Sequence, residues 1–234
     1  MTGTADDLDR LDLEISTCRA CPRLVAWREQ VAREKRAAYA GETYWGRPVP
    51  GFGPADAPIL VVGLAPAAHG ANRTGRIFTG DRSGDWLFAS MHRVGLANQP
   101  TSISADDGLE LRATRVASAV RCAPPANKPT PQERDTCAPW LVRETSLLLP
   151  GLRVVVTLGL FGWDAAFRTL AAVGVEVPRP RPRFGHGVEV ALGPITVLGC
   201  YHPSQQNTFT GKLTEPMIDS VFARAAELVG LSGP

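Results

Sequence analysis

The sequence predicts an α/β fold whose central sheet is mostly parallel and covered by helices on both faces. Three observations carry this expectation. Residues 58–65, 114–121 and 153–159 are near-continuous apolar runs of strand length, helix-period stretches alternate with them, and Gly- and Pro-rich segments fill the joins. A chain of 234 residues has the length of one embellished domain, and residues 1–234 are read as such.

Taken in order, residues 6–17 and 22–36 have helical spacing, interrupted by Cys18-Arg-Ala-Cys21. Residues 39–56, rich in Gly and Pro, read as an irregular lead-in to the first strand, 58–65, which stops at Pro66. A long loop, 66–82, leads to a helix over 83–94, with Ser83 as its N-cap and Asp85 in its first turn. The second strand, 114–121, runs into a Pro-rich loop. A helix over 131–149 follows, with Pro131 at its first position and Glu133 in its first turn. The third strand, 153–159, precedes a helix over 161–173. After a Pro-Arg alternation at 178–184 come a hairpin, 187–192 and 195–200, and a last amphipathic helix, 213–229. The first five and last three residues are the candidates for a flexible tail.

Composition narrows the class. With 44% hydrophobic and 21% charged residues the chain is not disordered, collagenous or a coiled coil. No run of eighteen apolar residues occurs, and residues 4–12 are acidic and polar. Neither a membrane span nor a secretory signal is therefore expected, and the cytoplasm is the default location. The net charge is only +2, but it is built from 22 Arg against 3 Lys. That bias suits forked phosphate contacts and equally suits a GC-rich coding sequence. The 23 Gly and 20 Pro predict long, shaped loops, the usual seat of function.

In a doubly covered parallel sheet, ligands bind beyond the carboxyl ends of the strands, so the loops after Ala65, Arg121, Gly159 and Cys200 are expected to converge. The first, Gly63-Leu-Ala-Pro-Ala-Ala-His-Gly-Ala-Asn-Arg-Thr-Gly-Arg-Ile-Phe-Thr-Gly-Asp81, matches neither the dinucleotide nor the phosphate-loop pattern of glycines. Its small residues allow close approach of a ligand to backbone, and Phe78 offers a stacking face. Asp81 reads as a helix cap or as a base. His202, in Tyr201-His202-Pro203-Ser204 at a strand end, reads as structural or as a donor to a developing anion. Asn127-Lys128, in the Pro-rich loop, reads as part of a site or as merely a turn. Arg73, Arg76, Arg82 and Lys128 are candidate phosphate contacts or a solvated rim.

Of the five cysteines, four form a set: the Cys18–Cys21 pair, then Cys122 and Cys137 a hundred residues on. In a reducing compartment four such thiols suit an iron–sulfur cluster or a structural zinc. Zinc commonly shows two close pairs, so the spacing leans toward iron and sulfur. Cys200 stands apart, with no role assigned.

Together the first loop, the segment Val120-Arg-Cys-Ala-Pro-Pro-Ala-Asn-Lys-Pro-Thr130, the segment Tyr201-His-Pro-Ser-Gln-Gln-Asn-Thr-Phe-Thr-Gly211 and the four-Cys set resemble the type-B (family five) uracil-DNA glycosylases. Each motif is weakly specific, whereas their order and spacing over Cys18 to Gly211 are highly specific. The resemblance implies a three-layer α/β/α sandwich with a four-stranded, mostly parallel central sheet. It also implies a [4Fe–4S] cluster on Cys18, Cys21, Cys122 and Cys137 and DNA containing uracil or another deaminated base as partner; separately, a monomer is expected.

By position, the resemblance makes Asp81, His202 and Asn127 the catalytic candidates. Asp81 would support or activate the attacking water, and His202 would stabilise the departing uracil. Gly63, Ala65, Ala68, Phe78 and Ser118 would bind the base, with Phe78 stacking on it. Arg73, Arg76, Ser204, Gln206, Asn207 and Phe209 would meet DNA, residues 204–211 entering the duplex. Two departures stand out. Ala67-Ala68 replaces the acidic or amide residue many relatives carry, shifting the burden to Asp81 and the DNA phosphates. Ser118 stands where related glycosylases often carry a uracil-reading Asn, which implies a wider range of bases, hypoxanthine included. The rival readings are a non-catalytic iron–sulfur or zinc protein that binds nucleic acid through the same loops, and a phosphoester hydrolase. The second lacks a carboxylate cluster for metal ions.

Overall fold

A computed structural model describes residues 2–231. Helix α1 (Thr2–Thr17) begins earlier than periodicity indicates, so the anticipated N-terminal tail is helical from Thr2, while the last three residues lie outside the described ones. Cys18 to Cys21 separates α1 from α2 (Pro22–Glu34), whose first position is the proline. Strand β1 (Ile59–Gly63) is buried throughout. The long loop after it carries a single helical turn, α3 (Ala71–Thr74), before α4 (Arg82–Arg93). Strand β2 (Thr114–Ser118) precedes α5 (Pro131–Leu148), and β3 (Val154–Leu158) precedes α6 (Gly159–Ala172). The hairpin β4 (Glu189–Leu192) and β5 (Ile195–Cys200), a short α7 (Gln205–Phe209) and α8 (Glu215–Leu228) complete the chain.

The sheet has five strands in the order β2-β1-β3-β5-β4, not four. Four are parallel, and β4 adds an antiparallel edge. Strand alternation sorts the side chains into two cores. Ile59, Val61, Val116, Val154 and Val156 pack with Leu87, Phe88 and Met91 of α4 and with Val221 and Phe222 of α8. Leu60, Val62, Val155 and Val197 face the other way, onto Leu8 and Leu11 of α1, Leu141 of α5 and Trp163 and Phe167 of α6. The result is three layers, as expected.

Two local expectations change. Ser83 is not the N-cap of α4. Asp81 is, with extended backbone and a carboxylate accepting from Gly84 N at 3.0 Å, because α4 begins at Arg82 and Ser83 already lies inside its first turn. There is also no loop after Gly159. The strand passes directly into α6 with Gly159 at φ +81°, where a β-carbon would stand 3.2 Å from that of His202. The expected start of α5 holds, with Thr130 and Glu133 forming a reciprocal capping box.

Beneath the site lies a buried charge network that composition does not reveal. Glu144, fully enclosed, accepts from Arg115 Nε at 2.6 Å and from Arg121, while Arg115 also donates to Asp12 at 2.7 Å. Desolvation alone would push the Glu144 carboxyl up, but the Arg121 and Arg115 guanidiniums outweigh it and hold the group below its ordinary value. Gly51 is required beside it, since a β-carbon there would collide with the Glu144 carboxylate. The network joins α1, β2 and α5 to Arg121, the residue before Cys122.

Candidate active site

The carboxyl ends of β1 and β5 and the loop after β2 open on one pocket of about 530 Å³, a volume suited to a ligand of nucleoside size. Its lining includes Ala65, Phe78, Asp81, Asn127, His202, Ser204 and Gln206 among the residues singled out by sequence. Arg82, the candidate phosphate contact, lines it too, as do Ala67 and Ser83; Leu64, Pro66, Ile77 and Gln205 were unforeseen because they flank the motif residues without distinctive chemistry of their own.

Phe78 adopts φ +53°, a left-handed conformation uncommon for a side chain of this size. The turn lays its ring over the end of β1. A β-carbon on Gly63 would lie 2.8 Å from Phe78 Cζ, so Gly63 acts from behind the ring and does not line the pocket. The Phe78 and His202 rings are 6.1 Å apart between centroids, tilted by 39°. His202 is held by its backbone, whose carbonyl accepts from Asn207 Nδ2 at 2.9 Å, and it rests against Gly159. Desolvation lowers its imidazole pKa to about 4, so the ring is neutral at pH 7.

Asp81 combines two roles that sequence left as alternatives. As the cap of α4 it is fixed by Gly84, and as a pocket-lining carboxylate its pKa is raised by desolvation, an effect that hydrogen bonds from the Gly84 and Ser83 backbone oppose. Asn127 reaches the pocket from a tight loop in which it and Ala126 both have positive φ, 55° and 53°. That loop is tied down by Arg23 of α2, which donates to the Lys128 carbonyl at 3.2 Å and to Glu133 at 2.7 Å.

Several expected contacts are absent for structural reasons. Arg73 is buried, bonded to Glu42, to the carbonyls of His69 and Gly80, and stacked on Tyr39. Arg76 is likewise enclosed. It pairs with Asp107 at 2.7 Å, bonds Thr79 and Ser102, and lies over Phe52. Neither guanidinium is free for a phosphate; both brace the first loop. Ala68 does not line the pocket, and its carbonyl accepts from Asn72 Nδ2 at 3.4 Å. Ser118 Oγ donates to the Val120 carbonyl at 2.9 Å within the buried strand end and is also outside the lining. The Asn207 side chain turns inward onto His202. Phe209, by contrast, is 67% exposed on α7, with the guanidinium of Arg82 4.4 Å from its ring centroid.

All four cysteines of the set line one small cavity between α2, the segment after β2, and α5. Among the described residues no group of three His, Cys, Asp or Glu is arranged to hold a single metal ion. Burial pushes the Cys122 thiol up to about 12 and Cys137 to about 11. The donors around them are those of a thiolate site. Arg28 Nη1 donates to Cys122 Sγ at 2.9 Å and the Arg121 amide to Cys137 Sγ at 3.2 Å. Arg28 is 2% exposed and makes no ion pair among the described residues, and its Nε has no partner. A buried cation bonded to Cys122 Sγ and to the Cys18 carbonyl, at a cavity lined by all four cysteines, fits a group of net negative charge held there.

Comparison with known proteins agrees with this geometry. The model of the uracil DNA glycosylase superfamily matches residues 50–226. The chain is 55% identical over 232 residues to a type-5 uracil-DNA glycosylase of Mycobacterium bovis, covering 99% of this chain and 85% of the relative. It is 50% identical over 218 residues to a type-5 uracil-DNA glycosylase of Thermus thermophilus, covering 93% and 96%. A type-4 uracil-DNA glycosylase of Archaeoglobus fulgidus is 27% identical over 237 residues, covering 98% and 96%. With pocket, fold and sequence in agreement, the chain belongs to the uracil-DNA glycosylase superfamily.

Proposed function

We propose that the protein is a monofunctional uracil-DNA glycosylase that takes a flipped base into the pocket and hydrolyses its N-glycosidic bond, leaving an abasic site. The observation that carries the reading is the convergence of Phe78, Asp81, Asn127 and His202 on one cavity at the strand ends, in a chain of this family.

The chemistry follows from where charge develops. As the bond from C1′ to N1 breaks, its electron pair leaves with the base and the sugar becomes cationic. The neutral His202 imidazole donates an N–H to the base oxygen as negative charge grows there, which a donor in a desolvated site does without solvent reorganisation. Water adds its oxygen to C1′ and gives a proton to Asp81, whose raised pKa makes it a better base than an exposed carboxylate. Phe78 offers a ring face to the flipped base, and the pocket-lining Asn127 would assist in the site. Unstacking a mispaired base costs least, which favours G·U sites. Phe209, exposed on α7, is positioned to fill the vacated stack. With Ser118 turned to Val120, no side chain from that position reads uracil, and hypoxanthine is accepted as well.

Cys18, Cys21, Cys122 and Cys137 would hold a [4Fe–4S] cluster, which supplies cross-linking and negative charge opposite Arg28 and no electrons to the reaction. The Arg23 contacts link that region to the Asn127 loop.

The decisive experiment uses oligonucleotides carrying one uracil, single-stranded or opposite G or A, in EDTA, followed by alkali. Cleavage at uracil is expected, and release from a hypoxanthine substrate should accompany it. Folded, iron-bearing protein that releases no base would overturn the reading, and a strict uracil-only profile would overturn the wider range.

A further inference from the structure

An open groove runs between α2 and the Trp45-Gly46-Arg47 turn, lined by Arg19, Arg28, Glu29, Arg33, Trp45 and Arg47 among others. The turn is rigidly built. Gly46 has φ +61°, and a β-carbon there would stand 2.9 Å from that of Ala32 on α2. Trp45 N donates to the Arg73 carbonyl at 2.9 Å and Gly46 N to that of Asn72 at 3.0 Å, so the groove wall is bonded to α3 itself. Pocket and groove therefore share one element, since Gly70 at the head of α3 abuts Asp81.

The charges of the groove are uncompensated. Glu29, its one carboxylate, is paired to Arg19. Arg33 and Arg47 are exposed and enter no ion pair among the described residues, whereas the buried Arg28 directs its guanidinium to the cysteine site and not to the groove. Trp45 is 36% exposed, with its Nε1 spent on the Pro48 carbonyl and Arg47 5.5 Å from its ring centroid. An exposed indole among guanidiniums is the combination that holds a single strand, phosphates on the cations and a base on the ring.

We propose that this groove is a second DNA subsite, binding the phosphates of the strand that leaves the pocket past α3, with Trp45 as a stacking face for one unpaired base. The inference rests on the glycosylase reading only for which strand enters. It goes beyond that reading because the pocket and α7 account for the damaged nucleotide alone. It also supplies the phosphate contacts that Arg73 and Arg76 do not make.

Two measurements on the full, cluster-bearing protein test it. In the first, anisotropy of a labelled, undamaged 20-nucleotide strand is followed against salt for wild type and for R33E/R47E. Loss of two contacts should flatten the slope of log K against log salt by roughly 1.5. In the second, a uracil five-mer is extended on one side at a time. For the wild type KM should fall about tenfold on one side only, the double variant should lose that gain, and W45A should lose part of it, with kcat on the five-mer unchanged in all. Equal slopes and equal flank dependence in wild type and R33E/R47E would overturn the proposal. Failure to release base from any substrate would instead count against the glycosylase reading, while the anisotropy result would still decide whether the groove binds DNA.

Discussion

A β-carbon placed on Gly70 would stand 2.9 Å from Cγ of Asp81 and collide with its Oδ2. The two residues are eleven positions apart, yet the carboxylate occupies the space that the glycine leaves. Gly70→Ala must push the carboxylate aside. Such a displacement is expected to lower kcat by about 10²-fold and, because it also breaks the Asp81–Gly84 cap of α4, to cost roughly 0.5–2 kcal/mol of stability. An unchanged kcat would show that the carboxylate position is immaterial.

Asp81→Asn separates cap from base. Asn caps a helix as well as Asp does, so α4 should keep its start. Desolvation raises the Asp81 pKa in the fold, so the stability linked to its protonation is fully present below the ordinary value of 3.8 and lost as pH rises through the folded value. The variant is free of that loss. At pH 7 it should melt above the wild type, the gap closing toward pH 3.5, while base release falls roughly 10²- to 10⁴-fold. A lower melting temperature at pH 7 would contradict the assignment.

His202 should not titrate near 6.5. With its pKa lowered to about 4 by desolvation, it contributes stability that is present above 6.5 and lost as pH falls through about 4. Its imidazole NMR shifts are expected to stay flat from pH 8 to about 5, and kcat should show no His202 limb in that window. His202→Ala should cost about 10²- to 10³-fold in kcat. An inflection at 6.5 assigned to this ring would show that the imidazole is solvated and not held neutral by burial.

Removing Glu144 leaves Arg115 and Arg121 buried without their shared carboxylate. Glu144→Ala is expected to destabilise the fold by about 3–5 kcal/mol, read as a denaturation midpoint shift. Because Arg121 precedes Cys122, iron content per protein should fall as well. A change under roughly 1 kcal/mol would show that water replaces the lost partner.

The frame was legible because it depends on local pattern: the apolar runs became β1, β2 and β3, and Pro131 and Glu133 marked the start of α5. Asp81, His202, Asn127 and Phe78 were legible as chemistry set beside strand ends, and they line one pocket. Arg73 and Arg76 were misjudged because an arginine in a polar loop reads as exposed. Their partners Glu42, Asp107 and Ser102 lie on distant segments with no periodic signal of their own. Ser83 and Asp81 differ by two positions, within the error of any helix boundary read from pattern. The buried Asp12–Arg115–Glu144–Arg121 chain was invisible for the same reason as the arginine braces: pairing is a property of the fold.

The direct passage of β3 into α6 at Gly159 bears on how such a site can diversify. The pocket is lined from the loops after β1, β2 and β5, whereas β3 enters α6 with no spare residue, and Gly159 there is pressed against His202. New base preferences in descendants of this chain, natural or engineered, must therefore be written into those three loops. The wall behind His202 acts as an invariant datum from which every enlarged or narrowed pocket is measured.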